Sequence, residues 1–294
     1  MNDTNSARLG FGVSGPLGQA WFSEAKTRAL IHAALAGGIR HFDTAPFYFD
    51  AEARLGAALQ AAKIRNVFVS TKTGTRRMGG RLVKDFSEAA IRADVAASLK
   101  RLGRDRLDLL YLHGPTSAEI DAALPALAAL KAEGRVAAIG VCGEGAPLRR
   151  AVETGFDAVM GVYNLIDRRH ESLFAEAKAR GVLTAAVAPL AQGLFDPAFN
   201  RPRTLSDLWR LARSALRGRY RAAEIETARR AIGDLDPVGA ALGFVLANPA
   251  IDIVMTTTTK PRHLAQSFAV RPLADADYAT LKALALTLGR GAPS

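Results

Sequence analysis

The sequence predicts an α/β protein, a closed (β/α)8 TIM barrel in a single domain. Three observations support this prediction. Short apolar runs alternate with longer amphipathic stretches, the repeating units average roughly 30 residues, and the chain of 294 residues accommodates eight of them. The apolar runs have no alternating polar face, as expected of strands buried on both sides. A hydrophobic fraction of 49% and a charged fraction of 23% are ordinary for a globular protein.

The predicted strands are apolar runs bounded by Gly or polar residues. They cover residues 9–13, 39–45, 66–72, 107–113, 136–142, 158–164, 182–188 and 251–257. Amphipathic patterns between them predict helices at 24–36, 52–62, 87–102, 118–133, 146–154, 169–180, within 204–247, and at 261–268. A last amphipathic segment, about 274–288, predicts an extra C-terminal helix. No shift in composition indicates a second domain within 1–294.

A doubly wound open sheet is the main alternative for such an alternation of strands and helices. When that fold binds a dinucleotide, it places G-x-G-x-x-G between the first strand and the first helix. The segment LGFGVSGPLG, residues 9–18, has its glycines at other spacings and contains Pro16. The closed barrel is therefore the preferred prediction.

The charge balance is basic, with 39 Lys and Arg against 28 Asp and Glu and a net charge of +11. Part of the excess lies in residues 201–230, where arginines follow a Leu- and Ala-rich amphipathic pattern. A solvated helix face explains this pattern best, and an anion-attracting field beside a phosphate-bearing ligand comes second. No nucleic-acid partner is expected, because no recognition module accompanies the charge.

The chain shows no targeting or membrane-spanning pattern. No run of about 18 apolar residues is present, and the first ten residues lack the features of an export signal. Cys142 is the single cysteine, which excludes an internal disulfide and fits a reducing compartment. We therefore expect a cytoplasmic protein with no membrane association. No Cys/His cluster predicts a metal site.

Polar residues follow the second, third and fourth predicted strands, at the end where (β/α)8 barrels build their active sites. They are Asp43, Tyr48, Lys72 and His113. Each residue alone is compatible with a turn cap or a rim position. Because barrel closure gathers adjacent strand ends over one mouth, the four together predict a catalytic group.

The chemistry of this group suits proton transfer at a carbonyl or alcohol oxygen. A phenol is too weak an acid at neutral pH unless an ammonium stabilises its anion. A carboxylate can hold that ammonium in place, and an imidazole can polarise a carbonyl. The hydride has to come from a cofactor. The residues therefore predict an oxidoreductase.

Six segments, taken in order and spacing, carry a resemblance to one family. They are GGIRHFDTAPFYFDAEARLGAAL, FVSTKTG, RLDLLYLHGP, GRVAAIGVCG, VYNLIDRR and VAPLAQGL. The chain resembles the aldo-keto reductases from about residue 9 to 268. The resemblance implies an (α/β)8 barrel that binds NADP(H) or NAD(H) without a Rossmann motif and acts on a small carbonyl or alcohol. It also implies that Tyr48 is the general acid/base and that Asp43 supports Lys72, which tunes it.

At the nicotinamide end, the chain departs from the usual family pattern. Cys142, Gly143 and Met160 replace Ser, Asn and Gln, and Val187 replaces an aromatic residue. The other contacts that the resemblance implies on this side are Asp43, Pro189, Leu190, Gln192 and Gly193. The small residues are similar to those of the aldose and galactose dehydrogenases of the family. The alternative hypothesis is a cofactor-binding barrel with little turnover, acting as a redox sensor or partner-binding protein.

At the adenosine end, the resemblance implies contacts from the segment that follows the last strand. They are Thr257, Thr258, Lys260, Arg262, His263 and Ser267. Thr257 and His263 stand where other members have basic residues for the 2′-phosphate of NADP, and Lys260 and Arg262 lie close enough in sequence to compensate. The preference between NADP and NAD therefore stays open.

Two aromatic residues, Phe47 and Phe49, flank Tyr48 in sequence. Phe49 replaces the glycine that usually follows the tyrosine, and with Trp21 and Phe47 it predicts an apolar substrate slot. Aromatic residues packed under loops explain the same pattern about as well. Glu52 matches a family residue that is expected to anchor the loop of Tyr48.

Overall fold

A computed structural model describes residues 7–193, 204–205, 207–209, 211–212 and 222–287. The described strands are, in chain order, β1 (Leu9–Gly12), β2 (His41–Asp43), β3 (Phe68–Thr73), β4 (Thr75–Met78), β5 (Arg81–Lys84), β6 (Leu109–His113), β7 (Ile139–Cys142), β8 (Ala158–Val162), β9 (Leu183–Val187) and β10 (Ile253–Thr256). Eight of them form a closed barrel in the order β1-β10-β9-β8-β7-β6-β3-β2. Every pairing in this barrel is parallel, so all strands end at one mouth. The predicted (β/α)8 fold class is confirmed.

Helices follow the strands along the chain. In chain order, those described are α1 (Glu24–Ala36), α2 (Ala51–Ala61), α3 (Glu88–Leu102), α4 (Ser117–Ala132), α5 (Ala146–Glu153), α6 (Glu171–Ala179), α7 (Ala222–Ile232), α8 (Pro237–Ala247), α9 (Pro261–Ala269) and α10 (Asp275–Thr287). The long region predicted within 204–247 contains α7 and α8, and α10 occupies the place of the predicted C-terminal helix. Much of the basic segment 201–230 lies outside the described residues.

Local signals in the sequence set the helix ends. The side chain of Ser87 accepts from the backbone N–H of Ala90 at the start of α3, and Gly103 ends that helix in the left-handed conformation, with φ 64°. At the start of α4, Thr116 and Glu119 form a reciprocal capping box. These ends fix where the chain leaves each helix and returns to the barrel.

The barrel strands are buried on both faces, and alternate side chains point into and out of the barrel. Outward side chains such as Leu110, Val141 and Val159 belong to the large core beneath the helices. Inward side chains such as Tyr111 and Met160 form a second apolar cluster inside the barrel. Residues at the strand ends that continue the inward alternation therefore form the last interior layer, at the mouth.

The antiparallel hairpin β4–β5 departs from the predicted pattern. It directly follows β3 and pairs Thr75 with Lys84 and Met78 with Arg81. Its turn is Gly79–Gly80, and both glycines have positive φ, 56° and 81°, which glycine adopts without strain. Hydrophobic periodicity gave no signal here because the strands are short and carry mainly exposed polar side chains.

Within the described part of the chain, no helix has the length and apolar character needed to cross a membrane.

Candidate active site

The barrel gathers the predicted catalytic residues at its mouth. Asp43 is the last residue of β2 and lies opposite Ser70 of β3, while His113 ends β6 opposite Cys142 of β7. Lys72 lies on β3 opposite Tyr111, two residues after Ser70 on the same inward face. The closed register therefore brings side chains from separate segments into one interior layer.

Lys72 and Asp43 form a buried ion pair. The Nζ atom of Lys72 donates to Oδ2 of Asp43 and, at 2.9 Å, to the backbone oxygen of Thr44. The hydroxyl of Ser70 donates to the other carboxylate oxygen, Oδ1, at 2.7 Å. The side chain of Lys72 is only 1% exposed. Both carboxylate oxygens are therefore engaged, and the ammonium has a fixed position.

The pKa of the Lys72 ammonium is raised despite its burial. Burial acts to lower this pKa, but the charges of Asp43, Tyr48 and Cys142 and the hydrogen bond to Asp43 act together to raise it. Lys72 therefore stays positively charged and acts through its charge rather than by losing its proton.

Tyr48 lies beside this ammonium and beside His113. Nζ of Lys72 is 5.2 Å from the centroid of the Tyr48 ring, and the rings of Tyr48 and His113 are 5.9 Å apart at their centroids. The tyrosine ends a short 3-10 turn, Pro46–Tyr48. The backbone N–H of Tyr48 donates to Ala45 O at 3.0 Å. The structure thus brings together all four residues of the predicted catalytic group.

Two contacts hold the loop of Tyr48 against the barrel. A Cβ atom on Gly18 would lie 1.9 Å from the backbone oxygen of Tyr48, so only glycine permits this approach. Glu52, fully buried in the first turn of α2, accepts from the hydroxyl of Thr71 at 2.6 Å and from Nε of Arg101 at 2.6 Å. Glu52 therefore ties the helix that follows Tyr48 to β3 and α3.

The imidazole of His113 is kept neutral. Burial, and then the positive charges of Lys72 and Lys84, lower the pKa of His113 to about 3. The hairpin β4–β5 holds the strand end from above: Thr75 donates to His113 O at 2.6 Å and Lys84 to Gly114 O at 2.5 Å. A neutral imidazole can donate a hydrogen bond to a carbonyl oxygen without giving up a proton.

The residues predicted for the nicotinamide end lie on the neighbouring strand ends. Cys142 and Met160 are opposite each other in β7 and β8, and Gly143 N donates to Met160 O at 3.0 Å. Met160 is buried within the barrel. Burial and the charges of Asp43 and Glu144 raise the pKa of the Cys142 thiol to about 11 against the opposing effect of Lys72. This thiol is therefore protonated at neutral pH.

The segment after β9 carries the other predicted contacts of this end. Val187 ends β9, Pro189 and Leu190 follow, and Gln192 and Gly193 belong to the 3-10 turn Ala191–Gly193. Two alanines within the segment, at positions 188 and 191, have positive φ of 57° and 44°. Such conformations are costly for alanine, and strain of this kind concentrates at functional sites.

The residues predicted for the adenosine end cluster around the end of β10. Thr257 donates to Gly12 O at 3.0 Å, and Thr258 accepts from the backbone N–H of Lys260 at 3.1 Å. Lys260 itself donates to the buried carboxylate of Asp207 at 2.8 Å. This pairing spans 53 residues and was not predicted from the sequence.

The other predicted contacts of this end lie on α9. Arg262 is exposed and His263 is half-buried, both in the first turn. Ser267 is buried, and its hydroxyl donates to the backbone oxygen of His263 at 2.9 Å. The structure thus leaves the cation of Arg262 at the surface and uses the hydroxyl of Ser267 within the helix.

The three aromatic residues of the predicted substrate slot differ in their surroundings. Phe47 is half-buried, and its ring is 5.9 Å from the rings of both Tyr48 and His113. Phe49 and Trp21 are each 44% exposed. The centroids of the Trp21 and Phe22 rings are 6.0 Å apart. Phe47 therefore borders the catalytic group directly, while Phe49 stands at its rim.

Arg77 was not predicted as a site residue. Its guanidinium carbon lies 4.6 Å from the ring centroid of Phe47 and 5.0 Å from that of Phe49. The signal that could have found it was Gly79–Gly80, a two-residue hairpin turn flanked by runs of four residues. Recognising that turn would have placed Arg77 on a hairpin above the mouth.

The residues of the two predicted cofactor ends fit a nicotinamide dinucleotide in their chemistry. The exposed guanidinium of Arg262 can donate to phosphate oxygens, and α9 begins with no side-chain cap on its first N–H groups. A Cβ atom added to Gly143 would have only Val141 near it, at 4.0 Å, so a flat ring can approach the backbone there. Among the described residues, no cluster of His, Cys, Asp and Glu could hold a metal ion.

Comparison with known proteins agrees with this geometry. Residues 8–286 match the model of the Aldo/keto reductase family. The chain is 35% identical over 315 aligned positions to the D-threo-aldose 1-dehydrogenase of a Pseudomonas species, covering 93% of this chain and 89% of that protein. It is 32% identical over 203 positions to L-galactose dehydrogenase of Arabidopsis thaliana, covering 63% and 62%. The holo form of aldo-keto reductase AKR11C1 from Bacillus halodurans superposes with a TM-score of 0.80 at 27% identity, covering 98% and 93%.

Proposed function

The chain belongs to the aldo/keto reductase family and is an NAD(P)H-dependent oxidoreductase, and from this premise we propose that Tyr48 is its general acid/base. The family acts on small carbonyl and alcohol substrates. The observation that carries the proposal is the contact of the Tyr48 ring with both the Lys72 ammonium, at 5.2 Å, and the His113 ring, at 5.9 Å.

In the reducing direction, Tyr48 gives its hydroxyl proton to the carbonyl oxygen of the substrate. The phenolate that remains is stabilised by the ammonium of Lys72, which Asp43 and the backbone oxygen of Thr44 hold in place. In the oxidising direction, the same phenolate takes the proton from the alcohol. Because Lys72 keeps its charge throughout, the residue lowers the cost of the phenolate in both directions.

His113 orients and polarises the substrate oxygen. Its pKa of about 3 means that the imidazole is neutral at physiological pH, so it donates a hydrogen bond and does not compete with Tyr48 as the acid. Thr75 and Lys84 of the hairpin fix the backbone carbonyls of His113 and of the next residue, Gly114. The oxygen therefore meets one proton donor and one hydrogen-bond donor.

When bound, NAD(P)H supplies the hydride to the carbonyl carbon, or NAD(P)+ accepts it from the alcohol. We assign the nicotinamide end to Asp43, Cys142, Gly143 and Met160 and to the segment from Val187 to Gly193. The adenosine end is assigned to the residues that follow β10. The chemistry described above supports both assignments.

A hydroxylated aldehyde or an aldose is the substrate class that we propose. The likeness to a protein named D-threo-aldose 1-dehydrogenase supports this choice, as does the match with a protein named L-galactose dehydrogenase. We place the reaction in the cytoplasm, in keeping with a single cysteine, Cys142.

The proposal is tested by steady-state assays with NADPH and NADH on a panel of aldehydes and aldoses, together with Tyr48→Phe. The variant should lose kcat by about a thousandfold, the range of general acid–base catalysis. Its affinity for either cofactor, measured by fluorescence titration, should stay within about twofold of the native value. Comparable turnover in Tyr48→Phe would refute the assigned role. Cofactor binding without turnover in the native protein would support the sensor hypothesis instead.

A further inference from the structure

We propose that Arg77, held between Phe47 and Phe49 at the mouth, selects carbonyl substrates that carry a remote carboxylate or phosphate. This inference rests on the proposed function and names the substrate class within it. We call the three residues Phe47, Arg77 and Phe49 the clamp.

The clamp places a guanidinium next to the catalytic group. Cζ of Arg77 lies 4.6 Å from the ring centroid of Phe47, and that ring is 5.9 Å from the rings of Tyr48 and His113. One aromatic ring therefore separates the cation from the residues that meet the reacting oxygen. A short substrate with its carbonyl at Tyr48 extends over this ring towards Arg77.

The donors of Arg77 remain available to a ligand. The residue is exposed, and in the described structure its guanidinium contacts the two rings but no carboxylate. Its neighbour Arg76, by contrast, is paired with Asp85 at 3.2 Å and with Asp94 at 2.9 Å. With no carboxylate partner among the described residues, the N–H groups of Arg77 can pair with the two oxygens of a carboxylate or phosphate.

The backbone of Phe49 gives independent support. Its φ of 57° and ψ of −122° lie in a region that glycine adopts easily and a bulky residue does not. Phe49 is 44% exposed, so burial in a core does not compensate the strain of its backbone. Its ring contacts Arg77 at 5.0 Å. Strain retained at the rim of an active site indicates a function for the side chain, here the support of Arg77.

The hairpin fixes the direction of Arg77. Successive side chains in a strand point to opposite faces, so Arg77 points away from the side on which Arg76 binds Asp94. Thr75 and Lys84 dock the base of the hairpin onto the end of β6. The net charge of +11 adds a field that attracts anions to the protein.

The test compares kcat/KM for pairs of substrates that differ only in the anionic group. The pairs are succinic semialdehyde with butanal, glyceraldehyde 3-phosphate with glyceraldehyde, and glucuronate with glucose. We expect the native protein to prefer the anionic member of the two carboxylate pairs, or of the phosphate pair, at least about tenfold, mainly through KM. The pair that shows the preference identifies the anion. The preference should fall as the ionic strength rises.

In Arg77→Gln, the two members of a pair should have about equal kcat/KM. Turnover of the neutral member and the affinity for NADPH should stay unchanged. Arg77→Lys should keep only part of the preference, because lysine lacks the planar fork. Arg81→Gln is the matched control: Arg81 is exposed on the same hairpin but pairs with Met78, on the opposite face from Arg77. A preference that survives Arg77→Gln, or that Arg81→Gln removes equally, would overturn the inference.

Failure of the proposed function gives a different result. In that case neither member of any pair is turned over with either cofactor. The role of Arg77 is then tested without turnover, by measuring the binding of butyrate and of butanol with ligand-observed NMR. Butyrate should bind the native protein more tightly than Arg77→Gln, and equal binding to both proteins would contradict the inference.

Discussion

The ammonium of Lys72 donates to the carboxylate of Asp43, and the two side chains are 1% and 9% exposed. Such a pair is costly to break because the remaining charge stays buried without its partner. We predict that Lys72→Met lowers the free energy of unfolding by about 3–5 kcal/mol, measured by urea denaturation at pH 7.

The double variant Asp43→Asn with Lys72→Met provides the control for this prediction. Because it leaves no isolated charge, it should be more stable than Lys72→Met alone. Arg92 and Glu88 form an exposed pair at the surface, so Arg92→Gln should change the free energy of unfolding little. The single variant Asp43→Asn completes the cycle, and a double variant that loses the sum of the two single effects would show that the two side chains act independently.

Gly18 ends the 3-10 turn Gly15–Gly18 and allows the loop of Tyr48 to lie against it. In Gly18→Ala, the new Cβ meets the backbone oxygen of Tyr48 at 1.9 Å, and this backbone has to move. We predict a fall in kcat of about a hundredfold, the effect of displacing a catalytic group by about 1 Å. Cofactor affinity should change little. Ala20→Gly, at an exposed position in the same loop, should leave kcat unaltered, and equal effects of the two changes would exclude the steric explanation.

The half-buried His113 makes stability depend on pH. The pKa of its imidazole is about 3 in the folded protein, while the unfolded value is 6.5, so the unfolded chain binds more protons between these values. Stability is therefore lost as the pH falls from about 6.5 towards 3. Between pH 7 and 5, the native protein should lose about 2 kcal/mol more than His113→Gln in urea denaturation. Parallel losses in the two proteins would show that this imidazole titrates normally.

The ion pair of Lys260 with Asp207 bears on the choice of cofactor. If Lys260 faces the 2′-phosphate of NADP, the carboxylate of Asp207 competes with that phosphate for the same ammonium. Asp207→Asn should then tighten NADPH binding about tenfold and leave NADH binding nearly constant, as measured by fluorescence titration. Asp236→Asn, at the N-cap of α8, is the control and should change neither. Unchanged NADPH affinity in Asp207→Asn would place Lys260 outside the cofactor site.

Residues on the barrel strands were predictable because burial on both faces leaves continuous apolar runs that end in a polar residue, as at His113. Closure was predicted from eight strand–helix units together with the absence of G-x-G-x-x-G, and the proximity of Asp43 and Lys72 followed from closure. Contacts made by side chains outside the barrel strands gave no such signal. The pairing of Lys260 with Asp207 and the contact of Arg77 with two rings depend on the conformations of the segments that connect the barrel strands.

The hairpin β4–β5 enters and leaves the barrel at neighbouring points and contributes no strand to it. Substitutions or insertions in this ten-residue unit that keep Thr75 and Lys84 therefore leave the proton-transfer residues on β2, β3 and β6 in place. Natural variation can retune which molecules are accepted without rebuilding the reaction, and protein engineers can graft alternative caps onto the same catalyst.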